Sequence, residues 1–382
     1  MDIAKADRAV HARAIGRHEV TRQHPSHFEP SPRCVMIRAK GTMHGVAQMS
    51  INRRNCLSLM AAAAARPAWS QLSEQRSIAV LFESLISPFF VAAIERFRAQ
   101  IKSRGWTILE ALSNSNDERQ FQQVESMIKR KVNGIILVHT DDKAVVPAIR
   151  AANAAHVPMV HFNRRPAPSD AYSVAVVADN RKLMDDTVSA LIGMAQQKGG
   201  KYQAALLVGN LNDANAVQRR DGFEAAVARH KETIDVVARI STEWNAEKAL
   251  AGFTAALQEH PDINMLVSSS DFLTPQIERA LRAAGKWFPA NHPKHVLVAG
   301  FDGDDLGYAQ LAAGYYDVDG VQNLDYEVKT SLEALEQMWA GERPEKTLID
   351  PGLVISRNTL RFKRDSMWGY GVWRAKNLST GG

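Results

Sequence analysis

From Ile78 onward the chain alternates short, continuous apolar runs with amphipathic stretches. Such runs, closed off by polar or turn residues, fit strands buried on both faces, and the stretches between them fit crossover helices. A first series of strands is predicted at Ile78–Phe82, Thr107–Ala111, Gly134–Val138, Val157–Phe162 and Val174–Val177. Helices are predicted between them over Phe90–Arg104, Glu118–Lys131 and Ala144–Ala155. A second series of strands falls at Ala204–Val208, Val236–Ile240, Ile263–Val267 and Val296–Ala299, with helices near 181–197, 214–230, 246–259 and 275–284, and a further strand, Tyr316–Val321, comes before Gln322. Gly105 and Gly285 stand where helices should stop, at the C′ position that favours glycine. The expectation is an α/β protein of two similar halves, each a doubly wound parallel sheet.

Open parallel sheets bind ligands outside the carboxyl ends of their strands. The stretch from Ile78 to Phe90 shows what such a position holds here. The strand Ile78–Phe82 is followed by Glu83 and a polar elbow, then by Pro88, whose fixed φ suits the first turn of a helix. Phe89 and Phe90 sit at the mouth of that helix. Similar positions recur along the chain: Asn163-Arg164, Arg219, Trp244, Ser270-Asp271, Asp302 within Gly300-Phe-Asp-Gly303, and Gln322-Asn323. One such residue alone reads as a helix cap or a solvated side chain. Their recurrence across both halves points to a shared cleft.

At 382 residues, 45% hydrophobic and 23% charged, the chain has ordinary globular composition and room for two domains or more. The net charge of +6 invites a nucleic-acid reading, but residues 1–70 carry 11 of the 47 Lys+Arg and 4 of the 41 Asp+Glu. The remaining 36 and 37 leave the body at −1, which removes the argument for a nucleic-acid partner. Cys34 and Cys56 also fall in that leader, so a thiolate or cysteine metal site has no place in the body. No dinucleotide glycine motif, P-loop or Gly-x-Ser-x-Gly elbow comes after any predicted strand. His292 and His295 share a proline-containing loop and read as solvated surface rather than metal ligands.

Three readings are open for 1–48: a disordered extension, a DNA-binding headpiece, or sequence upstream of the true start. The segment that begins at Met49 favours the last. Arg53 and Arg54 form a positive region, Cys56 to Ala65 an apolar one, and Ala68-Trp-Ser70 offers a cleavage site, so 49–70 reads as a signal peptide with a twin-arginine character. Its apolar part is shorter than the roughly 20 residues that span a bilayer, and no stable membrane anchor is expected.

From about Ser77 to Ser356 the chain resembles the periplasmic sugar-binding proteins of the ribose-binding type. The residues that carry the likeness are Ser-Pro-Phe-Phe90, Val-Pro-Met-Val-His-Phe-Asn-Arg164, Ala-Asp-Asn180, Arg-Arg-Asp-Gly-Phe223, Ser-Asp271 and Gly-Phe-Asp-Gly303. The resemblance implies the type I fold: two lobes whose hinge the chain crosses three times, near 178–180, 321–323 and 350–352. The first lobe would hold 71–179 and 323–350, and the second 180–322 and 351–360. The tail 361–382, with Trp368, Tyr370 and Trp373, lies beyond the likeness.

Residue by residue, the resemblance gives Phe89 and Phe90 the sugar ring from the first lobe and Trp244 its other face. It makes Asn163, Arg164, Arg219, Asp302 and Gln322 hydrogen-bonding partners. Glu83, Ser270 and Asp271 join them, as does Ser87. Ser87 stands for a usual Asn, Asn163 for Asp, Ser270 for Asn, and Val138-His139 for Asn-Pro, which argues against assuming ribose. The implied protein is an exported, periplasmic monomer without enzyme activity, cofactor or metal. It would close on a sugar or polyol and hand it to an ABC permease. A sensor kinase as partner, with an autoinducer-2-like or sugar ligand, is the alternative, and a cytoplasmic transcription regulator is a third.

Overall fold

Residues 75–378 are described in a computed structural model. The readings of 1–48 and 49–70, with Cys34 and Cys56, concern residues outside that range, as does the end of the tail at 379–382. Ser77–Phe82 (β1), Thr107–Leu112 (β2), Gly134–Leu137 (β3), Met159–Phe162 (β4), Val174–Ala178 (β5) and Thr347–Asp350 (β11) form one sheet. Its order is β11-β5-β4-β3-β1-β2, and every neighbouring pair is parallel. Tyr202–Val208 (β6), Ile234–Ser241 (β7), Ile263–Ser268 (β8), Leu297–Asp302 (β9), Val318–Val321 (β10) and Leu353–Ser356 (β12) form the other, in the order β12-β10-β9-β8-β6-β7.

Each predicted strand has its counterpart, and β4 starts late because Pro158 has no N–H for the ladder. β11 and β12 lay outside the predicted set. They are four-residue edge strands, half exposed, and so lack the continuous apolar run of a buried strand. β12 is also antiparallel to β10, which departs from the all-parallel expectation. The other strands run toward the space between the lobes. The chain reaches β12 from that space, across Pro351-Gly352, and must run away from it.

The helices Pro88–Ser103 (α1), Asp117–Lys129 (α2) and Val146–Ala154 (α3) cross over the first sheet. Asn180–Lys198 (α4), Ala214–Ala228 (α5), Ala246–Glu259 (α6), Thr274–Ala283 (α7) and Asp305–Ala313 (α8) serve the second, and Leu324–Trp339 (α9) returns to the first. Short polar side chains cap their starts at the strand ends. Ser87 accepts from Phe89 N at 3.3 Å, Asp213 from Asn215 N at 2.9 Å, and Asp304 from Leu306 N at 2.8 Å. None of the helices among the described residues is long and apolar enough to cross a membrane.

The chain passes between the sheets at three places: from β5 to α4, from β10 to α9, and from β11 to β12. Asp350 ties them together. Its carbonyl accepts from Asp179 N at 2.9 Å, and its carboxylate accepts from Asn323 N at 2.6 Å and Gly352 N at 2.9 Å.

In the first lobe the core turns on a group of rings. Phe82 stacks on Phe162 at 6.0 Å, and Phe97 meets Phe162 edge-on at 5.1 Å. The tail continues through Leu360–Lys363 (α10) to Trp368–Leu378 (α11), which packs on α8 through Tyr308, Tyr370 and Trp373. His295 departs from the surface reading. It is buried, with its ring nitrogens 2.7 Å from Phe288 O and 2.9 Å from Asp317.

Phe97 is fully buried, meets the Phe82 and Phe162 rings edge-on, and is not among the residues that line the cavity between the lobes. Phe97→Ala is expected to cost about 3–5 kcal/mol, read as a lowered midpoint in denaturant titration. An unchanged midpoint would show that the ring cluster does not carry the lobe.

Candidate functional site

The strand ends of both lobes surround a cavity of about 350 Å³. That is the small end of the range for small-molecule sites, roughly 300–1,000 Å³. From the first lobe come Glu83, Ser87, Phe89, Phe90, Asn163 and Arg164, and from the second Arg219, Trp244, Ser270 and Asp302, with Gln322 at a crossing. These are eleven of the twelve residues expected from the sequence.

The floor is a closed ring of hydrogen bonds. Arg219 donates through Nε to Asn180 Oδ1 at 2.7 Å, and Asn180 Nδ2 donates to Asn215 Oδ1 at 3.1 Å. Asn215 Nδ2 donates to Asn163 Oδ1 at 3.1 Å, and Asn163 Nδ2 to Gln322 Oε1 at 3.0 Å. Gln322 Nε2 donates to Asp302 Oδ1 at 2.7 Å, and that same oxygen lies 3.0 Å from Arg219 NH1. Each amide passes a donor onward, from guanidinium to carboxylate, so every bond polarises the next. Ser270 Oγ also donates to Asp302. Burial raises the Asp302 pKa, and Arg219, Ser270 and Gln322 draw it back toward the ionised form. All six members of the ring are buried.

Above the floor, Arg164 pairs with Glu83 at 2.6 Å and donates to His139 O at 2.8 Å. Its charge lies 5.9 Å from the Phe90 ring centre, and Asp213 of the second lobe lies 3.7 Å away. Trp244 Nε1 donates to the other side of that junction, to Asp213 Oδ2 at 3.0 Å. A Cβ on Gly209 would come within 2.1 Å of the Trp244 ring, so only glycine leaves the indole its place. Eight non-glycine residues among those described have positive φ, and five of them line the cavity: Ser115, Asn163, Glu243, Trp244 and Asp302. Such backbone is costly, and it gathers where side chains are held for a task.

Asp271 is a correction. It lies behind the wall, fully buried, and its carboxylate accepts from Phe301 N at 2.9 Å, Gly303 N at 2.9 Å and Asp304 N at 3.2 Å. Beyond the strand the backbone is extended at Ser270 and turns into a short 3-10 helix at Asp271, which leaves Ser270 facing the cavity and Asp271 the interior. There it meets Asp319, whose oxygens find no donor among the surrounding residues. Burial raises Asp271 and Asp319 well above the usual carboxylate range; the Asp319 charge pushes Asp271 further up, the Asp271 carboxyl draws Asp319 part of the way back, and Asp304 beside them is raised by burial and by Asp271. Two carboxyls in that position are expected to share a proton.

Among the lining and ring residues that the sequence does not assign to the site are Asn180, Asn215, Asp213 and Thr140. Asp213 carried a signal, since an acid before Ala214–Ala228 marks a helix cap at a strand end. The others are ordinary residues until their partners are known. No group of three or more His, Cys, Asp or Glu among the described residues is arranged to hold a metal.

Two doubly wound lobes, three crossings and a polar, aromatic cavity between the strand ends make this a two-lobed binding protein of the type I fold. The chain belongs to the periplasmic binding protein domain family, which matches residues 78–343. It is 26% identical over 294 residues to the D-apiose import binding protein of Actinobacillus succinogenes, covering 76% of this chain and 91% of that one. It is 24% identical over 297 residues to the ribose import binding protein of Bacillus subtilis, covering 75% and 89%. Among solved structures, an ABC transporter periplasmic solute binding protein from A. succinogenes with bound D-allose superposes with a TM-score of 0.69 at 23% identity, over 75% of this chain and 99% of that one. A Bacillus halodurans solute binding protein with bound myo-inositol gives 0.67 at 19%, over 76% and 98%.

The buried acids behind the floor have a pH signature. Their folded-state pKa values are raised. The stability they contribute is therefore complete below the ordinary carboxylate value of about 4, and is lost as pH rises through the raised values. Asp319→Asn supplies Asp271 with a permanent donor and one titrating group fewer. Thermal unfolding monitored from pH 5 to 8, at about 1.4 kcal/mol per pH unit and proton held, should show stability falling for the parent protein and falling less steeply for the variant. Parallel curves would show that Asp271 and Asp319 do not share a proton.

Proposed function

We propose that this chain captures a small, neutral, hydroxylated ligand, a sugar or polyol, between its lobes and delivers it to an ABC importer outside the cytoplasmic membrane. The observation that carries this reading is the floor. Arg219, Asp302, Asn163 and Gln322 present fixed donors and acceptors in one buried ring, with the Phe90 and Trp244 rings above it. Paired hydroxyls suit such groups, because charge-assisted hydrogen bonds are the strong ones. The C–H faces of a sugar ring suit aromatic faces. The relatives support the class, being import binding proteins for apiose and ribose, and neighbours of the same fold hold allose and inositol. The signal-like 49–70 supports export.

Charge narrows the class. Five lining carboxylates, Glu83, Asp141, Asp213, Glu243 and Asp302, face two guanidiniums, Arg164 and Arg219. Each guanidinium is already paired, with Glu83 and Asp302 respectively. A phosphorylated or acidic sugar would meet unanswered negative charge.

A thermal-shift screen of the full chain against D-apiose, D-ribose, D-allose, myo-inositol and their phosphates tests this. A neutral ligand at 100 times its Kd should stabilise the fold by about 2.7 kcal/mol, and the phosphates should give no shift. Asp302→Asn and Trp244→Ala should abolish the shift. Asp302→Asn keeps the shape of the buried partner but removes the counter-charge of Arg219, so it is itself expected to cost about 3–5 kcal/mol, and the ligand shift is read against the variant's own ligand-free midpoint. Undiminished binding by both variants, or a preference for the phosphates, would sink the reading.

A further inference from the structure

The helix α11 lies beyond the residues the family covers, yet its first residue reaches back to the site. Trp368 is 5% exposed and does not line the cavity. Its Nε1 donates to Asp302 O at 2.8 Å. Its ring meets Phe89 edge-on, with centroids 5.8 Å apart at 78°, and the Arg96 guanidinium lies 5.8 Å from the ring centre. Phe89 and Arg96 belong to α1 of the first lobe, and Asp302 ends β9 of the second. One side chain thus stands behind two lining residues from opposite lobes.

The backbone secures it there. Gly369 N donates to Gly303 O at 3.0 Å, and a Cβ on Gly369 would lie 2.1 Å from the carbonyl carbon of Asp304. Only glycine allows α11 that approach. Further along, Lys376 meets Asp305 at 2.6 Å, and Tyr370 and Trp373 grip Tyr308. Asp302 needs such a hold, because its φ of 111° is a conformation that a non-glycine residue keeps only when its surroundings over-determine it. The ring fixes the carboxylate side, and the carbonyl is held by the Trp368 indole at 2.8 Å, with Gln322 N at 3.3 Å as its second donor. On the other lobe the Phe89 ring is pinned between Phe162, stacked at 5.9 Å, and Trp368.

We propose that Trp368 is a positioning residue of the ligand site: from outside the cavity it sets the Asp302 carbonyl and the Phe89 ring relative to each other, and through them the affinity for ligand. The affinity arm rests on the reading of the cavity as a sugar or polyol site, and a second arm does not.

Three full-length proteins decide it: the parent, Trp368→Phe, which keeps a ring against Phe89 and loses the N–H donor, and Trp368→Leu, which loses both. D-allose and myo-inositol are titrated by calorimetry, and amide hydrogen exchange is measured without ligand. Trp368→Phe should bind whichever probe the parent binds roughly three- to ten-fold more weakly, the worth of one hydrogen bond, with its unfolding midpoint close to the parent's. Trp368→Leu should bind more weakly still. Without ligand, Trp368→Leu should speed exchange in residues 88–94 and 302–307 while β2 and β7 exchange as in the parent. If the parent binds neither probe, nor D-apiose or D-ribose, the sugar reading fails and the exchange pattern alone decides for or against Trp368. Affinities within two-fold of the parent, or exchange that is unchanged or raised uniformly along the chain, would overturn the proposal.

Discussion

A buried guanidinium cannot be left unanswered, and Arg219 is buried at the centre of this molecule. Its desolvation is offset by Asp302, by Ser269 O at 2.6 Å, and by a relay of amides that returns to Asp302 the long way round. The relay is what makes the arrangement more than an ion pair. Asn180 opens the helix after the first crossing, Gln322 stands at the second, Asn163 ends a strand of the first lobe, and Asn215 belongs to the second. The bonds that satisfy one arginine therefore also determine how the lobes meet. Removing any member strands a donor or acceptor in a dry place, which costs about 1–3 kcal/mol for a neutral group and more for a charge. Floor and hinge are one structure, and Asp350 braces the same crossings from behind.

The positive-φ residues fit that account. Asn163 and Asp302, at 64° and 111°, are both members of the ring. A strand that ends in such a turn aims its last side chain sideways, into the space between the lobes. The ring supplies the bonds that hold the turn, and the turn places the groups that close the ring. Beneath it, the Asp271 carboxylate collects three backbone N–H groups of the Gly-Phe-Asp-Gly303 loop and Asp304, so the loop is fixed from both sides.

The central strands could be read directly from the sequence because a strand buried on both faces must be apolar without interruption. β11 and β12 could not, since an edge strand of four half-exposed residues has no such obligation. The cavity residues were legible for a topological reason: in a parallel sheet, the residues just past a strand's carboxyl end face the ligand side. That rule locates Asn163, Arg164 and Asp302, but it does not say which of two neighbours turns inward, and Asp271 was misplaced on that account. Asn215 and Asn180 show a different limit. An amide in a ring of hydrogen bonds is defined by its partners, and those lie 35 and 52 residues from Asn215 along the chain. Trp368 lies 66 residues from the carbonyl it holds.

The lobes meet through Asn215 and Asn163 and through the Trp368 indole against Phe89. A ligand that gains equally from open and closed forms would shift nothing. To move the balance from 1:99 to 99:1 it must favour the closed form by about 5.5 kcal/mol. Contacts made to one lobe alone are kept on opening and contribute nothing to that difference. The set that counts is the one that needs both lobes. Phe90 of the first lobe and Trp244 of the second both line the cavity, so on the proposed reading they would enclose one ligand ring only together, and Arg164 comes near Asp213 only across the junction. Two or three charge-assisted hydrogen bonds, at about 1.5–3 kcal/mol each, supply the required difference when they are formed by the second lobe on a ligand already seated in the first. A rigid floor leaves that work to the walls.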